Sequence, residues 1–141
     1  FSPISSMQEF ASLHVYGDFG LLALRLAIGS IFLAHGLQKR VMWKMQPSEQ
    51  MPAKMLSIMR LLSVCEPLGA VAVLSGFLAQ PAAVGLAIIM LGAMNLKKNV
   101  WKKKFIGDGG WELDFMIFAA CIMLLISGAG AFALDRVLFA I

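Results

Sequence analysis

The chain has 141 residues, of which 60% are hydrophobic and only 14% are charged. A soluble protein of this size has too little polar surface to cover so much apolar side chain, so the composition excludes a soluble domain and indicates a membrane protein. The formal net charge is +4, but the basic residues are gathered in two short stretches between apolar blocks. This pattern excludes the continuous basic face that nucleic-acid binding requires.

Four apolar stretches predict membrane-spanning helices, because crossing the hydrocarbon core takes about 20 residues and lipid leaves no other way to pair the backbone of an open chain. Short connections favour antiparallel neighbours. The predicted fold is therefore all-α, an integral membrane four-helix bundle that forms a single domain over residues 1–141. Its predicted spans are 19–37, 57–78, 81–96 and 111–134.

The basic residues predict the orientation of these spans. Lys39, Arg40, Lys44 and Lys54 lie between the first two spans, and five lysines lie between the last two. By the positive-inside rule both loops face the cytoplasm, matrix or stroma, and both termini lie on the other, non-cytoplasmic side. Because the chain opens at Phe1 rather than methionine, we expect a leader or a trimmed piece before it. The expected location is the bacterial inner membrane, or an organellar membrane if that piece is a transit peptide.

In each predicted helix, polar residues share a face with glycine at about 100° per residue. Small residues let helices approach closely in lipid, so we expect these four stripes to face one another and to turn the polar groups inward. In chain order the stripes are Arg25-Gly29-Phe32-Gly36-Lys39, Glu66-Gly69-Val73-Gly76, Gly85-Ile88-Gly92-Asn95 and Glu112-Ala119-Met123-Gly130.

Arg25 and Glu66 form the predicted polar core. Even the scales with the smallest penalties give a cost of about 2.5–3.5 kcal/mol for inserting an ionised side chain at the centre of a membrane helix. Arg25 and Glu66 therefore each need a partner. Arg25 either reaches Glu66 or extends outward to Asp18 or Asp135. Glu66, followed by Pro67, is either a proton-handling or ligand-headgroup residue or a structural carboxyl that fixes packing.

A second polar cluster is expected where the helices meet the basic loops. Donors and acceptors lie there beside apolar walls, which suits the headgroup of a quinone or a lipid. Capping of helix ends and anchoring at the interface are the alternative roles. The candidate ligand-binding residues are His35, Lys39, Asn95 and Glu112.

The run KKNVWKKKF, residues 97–105, mixes lysines with a tryptophan. It predicts an interfacial belt on anionic lipid, worth about 1 kcal/mol per charge, or alternatively a docking site for a soluble partner. The interface residues are Lys97, Lys98, Trp101, Lys102, Lys103 and Lys104.

The sequence carries no Walker loop, dinucleotide fingerprint, zinc-ligand spacing or nucleophile elbow. We therefore predict no metal site and no self-contained catalytic centre, and at most a membrane subunit of an oxidoreductase. Cys65 and Cys121 lack the CxxC spacing of a redox motif, which favours buried apolar cysteines over a disulfide or redox pair.

Three segments together resemble the DoxX family: LRLAIGSIFLAHGLQK (24–39), CEPLGAVAVLSGFLAQPAAVGLAIIMLGAM (65–94) and GGWELDFMIFAACIMLLISGAGAFALD (109–135). The resemblance implies a four-helix membrane protein associated with sulfur and thiol redox chemistry, since relatives include the membrane subunit of a thiosulfate:quinone oxidoreductase. Ala133 departs from the family pattern, which often has serine there. The matching motif positions are Arg25, His35, Lys39, Glu66, Glu112 and Asp135.

These observations predict an accessory subunit of a quinone-linked, sulfur or thiol redox system, with quinone as the expected cofactor. The alternative is a non-catalytic structural subunit of a large respiratory or photosynthetic membrane complex. Transport of protons or small solutes is weaker, because four helices leave little room for alternating access. The expected partners are membrane lipid and other subunits of such a complex, not nucleic acid.

Overall fold

The computed structural model describes residues 8–140, and every regular element among them is helical. Short turns of 3-10 helix cover Ser12–Tyr16 and Lys39–Lys44, and one turn of π-helix covers Leu96–Val100. The α-helices are α1 (Gly17–Gln38), α2 (Ala53–Ser75), α3 (Ala79–Asn95), α4 (Glu112–Ser127) and the short α5 (Leu134–Phe139).

Three helical segments are long and apolar enough to cross a membrane: Gln8–Lys44, Ala53–Ser75 and Ala79–Val100. They contain α1, α2 and α3. The helix α4 has 16 residues, about 24 Å at 1.5 Å per residue, which is less than the roughly 30 Å of a hydrocarbon core. An all-helical fold with three helices that can span a membrane is thus confirmed, and the fourth span stays a prediction.

Two helices end earlier than predicted because a glycine follows them. Gly76 has φ +70° and ends α2 at Ser75, where Phe77 N–H donates to Ala72 O. This is the left-handed cap that favours glycine. Gly128 has φ +73° and ends α4 at Ser127, so the predicted span to residue 134 was too long.

The helices pack as two pairs, α1 on α2 and α3 on α4, with a smaller contact between α2 and α3. Glycines mark the closest approaches. A Cβ on Gly29 would meet Leu74, and a Cβ on Gly69 would meet Leu86, each closer than real Cβ atoms come. Close approach of backbones gains dispersion contacts that apolar surface facing lipid does not supply.

The stripes predicted for the first two helices are buried except for the partly exposed Lys39 and Gly69, whereas those for the last two are not packed against other helices as predicted. On α3, Ile88 is 62% exposed, and a Cβ on Gly85 or Gly92 would meet nothing within 4 Å. On α4, Met123 is 51% exposed. Alanines and larger apolar residues make the contacts instead, and the buried faces are Ala79, Ala83, Leu86, Ala87 and Met90 on α3, and Asp114, Ile117, Cys121 and Leu124 on α4.

Both basic loops lie at one end of the bundle, where residues from each line a common cavity. The opposite end joins the start of α1 to the segment after α4: Asp18 Oδ1 accepts a hydrogen bond from Ala131 N at 2.8 Å. Asp135 N donates to Gly76 O at 2.9 Å at the same end. The two basic loops thus lie at one end of the bundle, and the start of α1 and the segment after α4 lie at the other, as the predicted topology requires. The side of the membrane that each end faces stays a prediction.

Candidate functional site

A cavity of about 560 Å³ opens between α2 and α3 at the end of the basic loops. The turn Gly76–Leu78 joins the two helices at the other end. The walls of the cavity are almost wholly apolar. They include Met55, Ile58, Met59 and Leu62 of α2 and Ile88, Ile89, Met90 and Ala93 of α3.

Glu66 lines the inner part of this cavity and is 1% exposed. Its Oε1 accepts a hydrogen bond from Lys39 Nζ, which comes from the turn that directly follows α1. Its Oε2 is buried and has no hydrogen-bond partner among the described residues. The buried carboxylate therefore has a counter-charge in Lys39, but only one of its two oxygens accepts a hydrogen bond.

A second ion pair lines the cavity beside the start of α4. Lys97 Nζ lies 2.6 Å from Asp114 Oδ2 and donates a hydrogen bond to Gly110 O at 3.3 Å. Asp114 is 7% exposed. Lys97 and Asp114 form an ion pair by distance, but the angle between the two groups does not allow a hydrogen bond to Oδ2. Each lysine of the cavity is thus matched by one carboxylate, so the lining carries no excess charge.

His35 and Asn95 also line the cavity, together with Trp101. Asn95 Oδ1 accepts a hydrogen bond from Asn99 Nδ2 at 2.6 Å. The structure therefore brings His35, Lys39 and Asn95 into one site. It does not bring Glu112 into it: this side chain does not line the cavity, and its buried Oε2 has no partner in the described part of the chain.

Arg25 lies away from this cavity and is bonded to backbone carbonyls. Its Nε donates to Val73 O at 2.8 Å and its Nη2 to Leu74 O at 2.8 Å. Its Nη1 donates to Ala129 O at 3.0 Å and to Phe132 O at 3.1 Å. The guanidinium thereby ties the last turn of α2, whose carbonyls carry the negative end of the helix dipole, to the segment after α4.

The two residues of the predicted polar core thus occupy different places: of the two alternatives for Arg25, the contact with Glu66 is not formed, and the guanidinium lies toward the end of the bundle that carries Asp135. Neither Asp18 nor Asp135 accepts a hydrogen bond from Arg25 in the structure. Asp135 instead accepts from Leu78 N at 2.8 Å and from Ala79 N at 3.0 Å, and so caps the start of α3. The guanidinium of Arg25 has five N–H donors, so it can serve four carbonyls at once.

The loop between α1 and α2 is fixed beside the cavity by a network that the sequence analysis missed. Trp43 Nε1 donates to Ser63 Oγ at 2.8 Å, and Ser63 Oγ donates to Arg60 O at 2.6 Å. Arg60 Nε donates to Met42 O at 3.0 Å. The network holds the turn that carries Lys39 against α2.

The wall of α2 was also missed, although a signal for it exists. Met55, Met59, Leu62 and Glu66 are spaced by four, three and four residues, which places them on one face.

In the lysine-rich run, Lys97 turns inward to Asp114, whereas Lys98 lies 5.8 Å from the Trp111 ring centre.

Of the predicted interface residues, only Lys97 and Trp101 line the cavity. The other four lysines and both cysteines lie outside it. Lys102, Lys103 and Lys104 are exposed, and Lys103 Nζ donates to Asp108 O at 3.3 Å. Cys65 and Cys121 are both free thiols, so no disulfide joins them. Cys121 is buried as predicted, but Cys65 is exposed on the outside of the bundle.

The DoxX family model matches residues 20–99, more than half of the chain, and this match contains Arg25, Lys39 and Glu66. The chain belongs to the DoxX family. A protein of Mycobacterium tuberculosis described as an uncharacterized membrane protein is 33% identical over 141 residues, covering 88% of this chain and 84% of that protein. No solved structure matches the chain. The DoxX match spans α1, α2 and α3, and therefore most of the cavity wall.

Proposed function

We propose that this DoxX protein is the membrane accessory subunit of a quinone-linked redox system and that a quinone ring binds in the cavity between α2 and α3. The observation that carries the proposal is an apolar cavity with two neutralised ion pairs in its lining. A quinone is a neutral, flat ring with two polar oxygens and an apolar tail, so it requires apolar walls and a few polar groups.

The size and chemistry of the cavity fit such a ring. A volume of about 560 Å³ falls in the roughly 300–1,000 Å³ range of small-molecule sites. His35, Lys39 and Asn95 offer nitrogen groups that can donate to ring oxygens. Ile58 and Ile88, which are 42% and 62% exposed, lead from the cavity to the lipid-facing surface, where an alkyl tail would continue.

The charge balance favours a neutral head over the phosphate of a lipid. Lys39 and Lys97 are the cations among the lining residues, and each is held by a carboxylate. An anionic head would have to break one of these pairs and leave a carboxylate without a counter-charge, which is costly at low dielectric. A neutral head leaves both pairs in place.

A bound quinone or quinol would supply the electron-carrying chemistry that the side chains of the chain lack. The protein's own part is to bind the ring and to exclude water with the methionine and isoleucine walls. The exposed lysines Lys98, Lys102 and Lys104 lie in the loop that also carries Trp101 of the cavity. They offer a basic surface for an acidic partner subunit close to the ring.

One observation favours the structural-subunit alternative for part of the molecule. All four hydrogen bonds of Arg25 go to backbone carbonyls, which is a packing role. That alternative predicts a protein that carries no quinone and keeps its helices in place for neighbouring subunits.

Two glycines of α3 provide a matched test. Gly92 lines the cavity and Gly85 does not, and a Cβ at either would meet nothing within 4 Å. We expect lipid extracts of the purified wild type and Gly85→Phe to contain quinone near one per chain, and extracts of Gly92→Phe to contain at least tenfold less. Quinone absent from all three proteins, or equal in all three, would exclude the proposed site.

A further inference from the structure

The inner part of the cavity carries a hydrogen-bond acceptor that no described residue satisfies. Glu66 Oε1 is taken by Lys39 Nζ, and Glu66 Oε2 is buried without a partner. A buried polar atom without a partner costs about 1–3 kcal/mol. The terminal torsion of glutamate is broad and two-fold, so either oxygen can turn toward the cavity while the other keeps Lys39. Glu66 is therefore short of one donor, whereas Asp114 Oδ2, which also accepts no hydrogen bond, lies 2.6 Å from the Lys97 ammonium.

The oxidised and reduced forms of a quinone differ in this respect. The oxygens of a quinone are carbonyls, which accept hydrogen bonds and cannot donate, so a carbonyl against Glu66 would set two acceptors against each other. The oxygens of a hydroquinone are phenolic hydroxyls, which donate one hydrogen bond and also accept. A hydroxyl bonded to a carboxylate forms a short, charge-assisted hydrogen bond.

On this basis we infer that the cavity selects the reduced, hydroxyl-bearing form of its ligand, with one phenolic hydroxyl donating to Glu66. The inference rests on the proposed function and adds to it the redox form that the site holds. The second hydroxyl can accept from His35 or Asn95, which line the same cavity. Glu66 is here a binding residue, and the pairing with Lys39 holds its carboxylate in place.

The test compares three probes that share one ring skeleton and one alkyl tail, on the full chain in detergent under anaerobic conditions: decylubiquinol, decylubiquinone and the dimethyl ether of decylubiquinol. The ether keeps the reduced ring but has no hydroxyl to donate. We expect the wild type to bind decylubiquinol at least tenfold more tightly than either other probe. Binding of the ether as tight as that of the quinol would overturn the inference without any variant.

Two isosteric variants locate the effect. Glu66→Gln replaces the free acceptor by an amide that can also donate to a carbonyl, so the preference for quinol should fall to about twofold or less. Glu112→Gln makes the same change at a buried carboxyl whose Oε2 is likewise unpartnered but which does not line the cavity. It should keep the full preference.

The outcomes separate the two proposals. If the wild type binds quinone and quinol equally, a water or Lys39 satisfies Glu66, and the inference fails while the proposed function stands. If Glu66→Gln keeps the full preference, the selecting group lies elsewhere and the inference fails. If no probe binds the wild type, the proposed function fails, and the inference fails with it.

Discussion

Gly36 of α1 lies directly against the ring of Pro67 of α2, so closely that a Cβ on the glycine would overlap the ring. A proline inside a helix leaves one carbonyl unpaired and bends the chain. Here the proline ring meets the neighbouring helix at a residue that has no side chain. The two helices thus meet at the residue that follows Glu66, which lines the cavity.

Gly36→Ala should destabilise the protein by about 1–3 kcal/mol, the usual cost of adding a methyl group to a filled space, since a proline ring cannot rotate away. Gly85→Ala is the control because its Cβ would meet nothing within 4 Å. In an open helical position alanine stabilises by up to about 1 kcal/mol. Reversible unfolding in mixed micelles, followed by circular dichroism, measures both. Equal stability of the two variants would contradict the close contact.

Arg25→Lys should lose at least about 3 kcal/mol of unfolding free energy. Three nitrogens of the guanidinium serve four carbonyls, and one ammonium group cannot reach all of them. A hydrogen bond from a charged group is worth about 1.5–3 kcal/mol. Arg136→Lys, at an exposed position, should stay within about 0.5 kcal/mol of the wild type in the same unfolding assay. A fully stable Arg25→Lys protein would disprove the clamp.

The ion pair of Lys39 and Glu66 should show asymmetric single variants and strong coupling. Lys39→Met leaves a carboxylate that is 1% exposed without its counter-charge, whereas Glu66→Met leaves a lysine whose side chain is 22% exposed and can turn to water. We expect Lys39→Met to cost about 3–5 kcal/mol and Glu66→Met clearly less. The double variant should cost less than the sum of the singles when unfolding is measured for all four proteins. Simple additivity would show that the pair is not coupled.

Asp135→Ala should cost about 0.5–2 kcal/mol, because the carboxylate accepts from Leu78 N and Ala79 N at the start of α3. The change should also raise amide hydrogen exchange in the first turn of α3 without affecting α1. Asp108→Ala removes an exposed carboxylate from the opposite end and should leave both measurements unchanged. Unaltered exchange in Asp135→Ala would remove its assignment as a cap.

The sequence predicted the existence of the helices well, and their ends and faces less well. The stripe of Arg25, Gly29 and Gly36 was found because Arg25 is the one Asp, Glu, Lys or Arg in the predicted span 19–37, and both glycines share its face. The face of α3 was missed because alanine, rather than glycine, makes its close contacts, and neither Gly85 nor Gly92 packs against another helix. The end of α4 was missed because the apolar pattern continues past Gly128, where the backbone turns.

Composition, apolar length and the DoxX motifs by themselves determined that this is a helical membrane protein with buried charge at Arg25 and Glu66. Tertiary structure alone decided the partners: Lys39 for Glu66, backbone carbonyls for Arg25, and Lys97 for Asp114. The physical reason lies in the lipid. In a soluble protein, the periodic spacing of apolar residues reveals which face of a helix is buried. In a membrane the inner and the outer face are both apolar, so only the packing of the helices determines which residues meet.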